Sequence, residues 1–154
     1  MKNLVVLGLG SNRGDSAAIL TGAIGKLRQV LEDLRVASLI ETEPLYVKDQ
    51  PRFLNTAASG FFSRSPWELL TLIHSIETSY GRDRSRERRW GERTLDIDIL
   101  LFGDQIISAP PVLEIPHPRL NERLFALKPL LELFPGARDP LTGRPFREIL
   151  RKII

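Results

Sequence analysis

The sequence predicts an α+β domain, an antiparallel sheet with helices laid on it, and three observations carry that prediction. Short apolar runs rich in Val, Leu, Ile and Phe recur at 2–9, 34–41, 53–63 and 94–103. Two stretches with apolar residues at helical spacing separate them, at 15–31 and 65–80. The order is therefore β-α-β-β-α-β, followed by a helical tail. This is the ferredoxin-like arrangement, with the helices on one face of the sheet.

Each element has its own signal. The run KNLVVLGL reads as a buried strand, and Gly8, Gly10 and Gly14 surround the exit GSNRG, which reads as a tight structural turn. In 15–31, Ile19, Leu20, Ala23, Ile24, Leu27, Val30 and Leu31 recur at helical spacing after a plausible N-cap, Asp15. LRVASLIE suggests the second strand, TEPLYVKDQPR with its two prolines a loop, and FLNTAASGFFS the third strand. Ser65 and Glu68 form a capping box with Pro66 at the first helical position, and Gly81 ends that helix. After strand 94–103 comes a short strand or hairpin and a proline-rich loop. Residues 121–133 hold a helix, or two short ones if Pro129 breaks it, and 145–152 a last short helix.

A chain of 154 residues suits one domain, residues 1–154, large enough to bury a core without disulfides. No apolar stretch approaches the length of a membrane span, and the N-terminus reads as a strand rather than a signal peptide. The absence of cysteine fits a reducing cytosol, so a cytoplasmic monomer is expected. The net charge of +3 is local: residues 82–93 alone hold six arginines against Asp83, Glu87 and Glu92. A local basic patch points to an anionic ligand at one place rather than to a protein that coats nucleic acid.

Asp96 and Asp98 carry the strongest chemical signal. Aspartate is depleted in strands, yet two stand in one strand at a spacing that puts them on the same face, with Cα atoms about 6.5–7 Å apart. Leu95, Ile97 and Ile99 point to the other face, toward the core. Two like charges side by side oppose each other's ionisation unless a cation compensates. Mg²⁺ is suited to that place, because it takes one or two carboxylates together with substrate phosphates. A solvated pair on an open sheet face is the alternative. The arginines immediately upstream suit bidentate phosphate contacts, against the alternative of a solvated basic loop. His117 sits between Pro116 and Pro118, held where it can donate to a phosphate, or else a plain surface histidine. His74 reads as a helix-surface or packing residue. Phe53 and Asn55 share a strand face, a ring beside an amide suited to a flat heterocycle, although Phe53 and Phe125 could each be core. The turn after the first strand completes neither G-x-x-x-x-G-K-[ST] nor G-x-G-x-x-G.

Four segments, LGLGSNRGD (7–15), ETEPLYVKDQPRFLNTA (41–57), IETSYGRDRSRERRWGERTLDIDILLFGD (76–104) and IPHPRLNERLFALKPLLEL (115–133), carry a resemblance over nearly the whole chain. They resemble the 6-hydroxymethyl-7,8-dihydropterin pyrophosphokinases of folate biosynthesis. The resemblance implies a ferredoxin-like fold and transfer of the β,γ-pyrophosphoryl group of ATP to the pterin's hydroxymethyl oxygen, releasing AMP. It implies two Mg²⁺ ions on Asp96 and Asp98, with Glu77 near the nucleotide and the loop hinge. Arg82 and Arg84 would belong to a mobile catalytic loop that Trp90 helps to close, and Arg93 would contact phosphate. His117 and Arg123 would hold the phosphates from the opposite side. Phe53 and Phe125 would sandwich the pterin, with Asn55 on its polar edge and backbone groups near Thr42 and Leu45 completing its recognition. The chain departs from some members at Phe53 (Tyr), His74 (Gln) and Pro118 (Tyr). It also has one more residue in the arginine loop, which leaves Arg86, Arg88 and Arg89 unassigned.

Two other function classes compete. An RNA-binding sheet would carry exposed aromatics on its central strands, where Asp96 and Asp98 would instead repel phosphate. A metal-dependent phosphohydrolase would use the same aspartates without a pterin acceptor.

Overall fold

The computed structural model describes residues 1–42, 51–81 and 94–154. Strands β1 (Asn3–Ser11), β2 (Glu32–Val36), β3 (Ile40–Thr42), β4 (Phe53–Phe62) and β5 (Asp96–Phe102) form one antiparallel sheet. Its order is β2-β4-β1-β5, with β3 also paired to β4. Helices α1 (Ser16–Leu27) and α2 (Pro66–Ser79) give the expected β-α-β-β-α-β order. A hairpin, β6 (Ile107–Ala109) and β7 (Leu113–Ile115), precedes a 3₁₀ turn at Leu120–Glu122 and helices α3 (Leu124–Leu133) and α4 (Phe146–Ile153).

The sheet separates two apolar clusters. On one face Val5, Leu7, Leu9, Ile97 and Ile99 meet Leu20, Ala23 and Leu27 of α1 and Leu69, Ile73 and Ile76 of α2. On the other, Val6, Ala57, Leu100 and Leu101 meet Leu127 and Leu130 of α3 and Phe146 and Ile149 of α4. The helices of the β-α-β-β-α-β core therefore share one face as predicted, and the helical tail covers part of the opposite face.

The structure corrects four details of the sequence reading. α1 ends at Leu27 rather than 31, because the chain tightens there into bonds from Gln29 N to Lys26 O and from Val30 N to Leu27 O. The second strand is two pieces, β2 and β3, both paired to β4. Gly8 and Gly10 do not form a turn: they lie inside β1, which runs on to Ser11, and the positive φ falls at Gly14. Pro129 does not divide the last helical stretch. It is buried inside α3, and the break comes at Arg123, whose φ of −114° and ψ of 101° are extended. The capping box forms as read, with Glu68 N donating to Ser65 Oγ at 3.1 Å and the Glu68 carboxylate returning to Ser65 N.

One irregularity shapes the site. Val6 pairs with Leu101 and Leu7 with Ile99, so Leu100 is an extra residue in β5. The bulge turns both Leu100 and Leu101 toward the α3–α4 side and returns Phe102 to the α1–α2 side, where it meets Phe62 edge-on at 6.3 Å.

Candidate active site

Alternation along β5 puts Ile97 and Ile99 in the α1–α2 core, so Asp96 and Asp98 emerge on the opposite face. The register continues that face across the sheet. Gly10 is paired to Asp96 on one side and Asn55 on the other, and Gly8 to Asp98 and Ala57. Ile40 pairs with Asn55 and Thr42 with Phe53. Asp96, Asp98, Asn55 and Phe53 therefore line one face, with two glycines of β1 between the carboxylates and the amide. Asn55 is 5% exposed, and its Nδ2 donates to Thr42 Oγ1 at 2.7 Å. Nearby, Asn12 Nδ2 donates to the Pro51 carbonyl at 2.9 Å, which ties the end of β1 to the entry of β4.

The opposite wall comes from the segment after β7. His117 N donates to the carbonyl of Leu100, the bulged residue, at 3.1 Å. This bond docks the histidine beside Asp98, with Nε2 3.8 Å from Asp98 Oδ1. His117 Nδ1 accepts from Arg119 N at 3.1 Å, which assigns the ring proton to Nε2 and leaves a donor on the site side. Burial, reinforced by the Arg123 charge, lowers the His117 pKa to about 4, against a smaller opposing effect of Asp96. The imidazole is neutral at physiological pH, and its approach to Asp98 is not an ion pair.

The break before α3 aims Arg123 inward. Its Nη1 stands 3.9 Å from Asp98 Oδ2, and its guanidinium carbon 5.4 Å from the centre of the Phe125 ring. The Arg123 Nε is buried without a hydrogen-bond partner among the described residues. Buried donors are ordinarily satisfied, so an orphaned guanidinium nitrogen beside a carboxylate pair fits an anion at this place. Helix α3 packs over β4, β1 and β3, which brings the half-buried Phe125 to the same side of the sheet as Phe53.

Glu77 has a different setting. It is 1% exposed on α2, and its Oε2 accepts from Ile97 N at 2.9 Å. That amide lies between the two aspartates on an end strand of the sheet, so the carboxylate braces the strand from behind the site. His74 is exposed on α2, as the sequence reading favours. Leu45, Arg82, Arg84, Trp90 and Arg93 lie outside the described residues, as do Arg86, Arg88 and Arg89. Among the described residues no group of three or more His, Cys, Asp or Glu could hold a metal, and none of their helices is long and apolar enough to cross a membrane. A carboxylate pair is nonetheless the donor set Mg²⁺ uses when phosphate oxygens complete its shell. The sequence reading missed the Leu100 bulge, although L-L-F interrupting the L-D-I-D-I alternation is its trace.

Fold and site together define a β-α-β-β-α-β enzyme with carboxylates, a neutral imidazole and a buried guanidinium gathered on one sheet face beside an amide and aromatic rings. Residues 6–135 match the 7,8-dihydro-6-hydroxymethylpterin-pyrophosphokinase (HPPK) family. The chain belongs to that family and is a pyrophosphokinase. It is 44% identical over 135 residues to the 2-amino-4-hydroxy-6-hydroxymethyldihydropteridine pyrophosphokinase of Bacillus subtilis, covering 86% of this chain and 79% of the relative. The protein of the same name from Aquifex aeolicus is 39% identical, over 94% of this chain and 88% of the relative. The folic acid synthesis protein fol1 of Schizosaccharomyces pombe is 40% identical, over 97% of this chain but only 20% of the relative. Among solved structures, wild-type HPPK-DHPS of Plasmodium falciparum superposes with a TM-score of 0.75 at 18% identity. That match spans 99% of this chain and 45% of the other, and it speaks to the fold alone.

Proposed function

We propose that the chain, as a single catalytic domain of residues 1–154, transfers the β,γ-pyrophosphoryl group of ATP to the hydroxymethyl oxygen of 6-hydroxymethyl-7,8-dihydropterin, a step of folate synthesis. The acceptor oxygen bonds to the β-phosphorus, the bond from that phosphorus to the oxygen bridging the α-phosphorus breaks, and AMP leaves with that oxygen. The observation that carries the reading is the convergence of His117 Nε2 and Arg123 on Asp98, with the Arg123 Nε lacking an acceptor among the described residues.

Asp96 and Asp98 hold magnesium in this reading, two ions by the family pattern. When bound, the metal neutralises phosphate charge and eases loss of the acceptor's hydroxyl proton. The neutral His117 donates from Nε2 to a phosphate oxygen, and the buried Arg123 brings a permanent positive charge against the same group. Asn55 faces the polar edge of the pterin, and Phe53 and Phe125 flank the ring, with backbone groups near Thr42 and Leu45. Arg82, Arg84, Arg93 and Trp90 complete the nucleotide side, and excluding water there suppresses hydrolysis of ATP. Glu77 serves the site by holding the Ile97 amide, and with it the aspartate strand.

The test is AMP release from ATP with Mg²⁺, with and without the pterin. AMP formed only with the pterin present supports the donor, the acceptor and the bond cleaved. ATP breakdown that ignores the pterin, or that yields ADP, overturns the reading.

A further inference from the structure

Glycine inside a strand is unfavourable relative to alanine, so an interior glycine needs a reason. Gly8 and Gly10 of β1 have no positive φ that would supply one. The surroundings separate the two residues. A Cβ placed on Gly8 would meet only the Leu100 side chain, at 3.4 Å, an ordinary contact. A Cβ on Gly10 would lie 2.7 Å from Asn55 Oδ1, with the Leu54 carbonyl oxygen and Asn55 Cγ at 3.7 Å. Even weak C–H···O contacts keep carbon and oxygen about 3.3 Å apart.

The Asn55 carboxamide has little freedom to give way. The residue is 5% exposed, and its Nδ2 is committed to Thr42 Oγ1 at 2.7 Å. Rotation that clears Oδ1 from position 10 also turns Nδ2 away from Thr42.

We infer that Gly10 is a positioning residue for acceptor recognition: its bare Cα leaves the space in which Asn55 holds its Oδ1 acceptor above β1 while its Nδ2 stays on Thr42. The inference rests on the reading of Asn55 as a pterin contact. A methyl group at this position turns the amide and mismatches its donor and acceptor to the heterocycle, without removing any group that binds ATP.

Gly10→Ala should raise the KM for the pterin about tenfold or more and leave the KM for ATP within about twofold, one tenfold step being ~1.4 kcal/mol. In ligand-free protein the Asn55 side-chain amide resonances should move in its ¹H–¹⁵N spectrum. In an Asn55→Ala background, Gly10→Ala should add less than about a twofold change, because its target is gone. Should Gly10→Ala alone fold poorly, the double variant should fold and match Asn55→Ala in its pterin KM. A double variant that does not fold places the obstruction elsewhere and overturns the inference. So does a full effect of Gly10→Ala in the Asn55→Ala background, or an equal rise in both KM values, since the methyl would then be acting on Asp96, the other cross-strand neighbour. If the wild-type chain releases no pterin-dependent AMP, the reading of the site has failed. If it does, and Gly10→Ala keeps the wild-type pterin KM, that reading stands and the positioning role of Gly10 falls.

Discussion

On one face of the sheet, Val5, Leu7, Leu9, Ile97 and Ile99 lie under α1 and α2, each no more than 4% exposed. On the other face α3 and α4 cover Val6, Ala57, Leu100 and Leu101, while the Asp98 side chain beyond their cover is 31% exposed. The same strand thus carries a sealed aliphatic row and a wet carboxylate row, because successive side chains point opposite ways. Coverage decides which residues each row can hold. Charged groups under α1 and α2 would lose their water without a partner, whereas at the open end a ligand or solvent replaces it.

The largest expected effect breaks function and spares the sealed face. Asp98→Ala should lower kcat/KM for AMP formation at least about a thousandfold, ~4 kcal/mol of transition-state stabilisation, with an unchanged urea midpoint. Retained magnesium-dependent turnover in the folded variant would remove Asp98 from the metal site. Ile73→Ala reverses the pattern: the residue is fully buried on α2, so stability should fall by about 2–5 kcal/mol while turnover per folded molecule holds. Urea unfolding read beside a rate assay checks it, and a rate loss beyond the folded fraction would show the two faces to be coupled. The smallest effect sharpens the comparison from the helix end. Ser65→Ala removes half of the α2 capping box and should cost about 1 kcal/mol in the same unfolding experiment, with no change in either KM.

The strand and helix order was legible because alternation and helical spacing are local signals, and the same-face placement of Asp96 and Asp98 needed only the two-residue period. Elements that depend on distant partners were less so. The second strand reads as continuous until β4 is present to pair with its two pieces separately. Gly8 and Gly10 look like turn residues because a glycine count does not say whether φ is positive, and in the folded chain it is not. Pro129 looks like a helix breaker, yet α3 continues through it and the chain bends at Arg123 instead.

By itself the sequence determined the alternation that sends two carboxylates to one side of β5, the capped start of α2, and the family-specific block around TLDIDILLFG. Tertiary structure alone decided what those carboxylates meet. The Leu100 bulge offers the carbonyl that docks His117, the Arg119 amide selects its tautomer, and burial keeps it neutral. Likewise, Asn55 Oδ1 lies over Gly10 only because β4 and β1 are paired in that register. Periodicity depends on neighbours in the chain, whereas register, burial and close approach depend on residues tens of positions away.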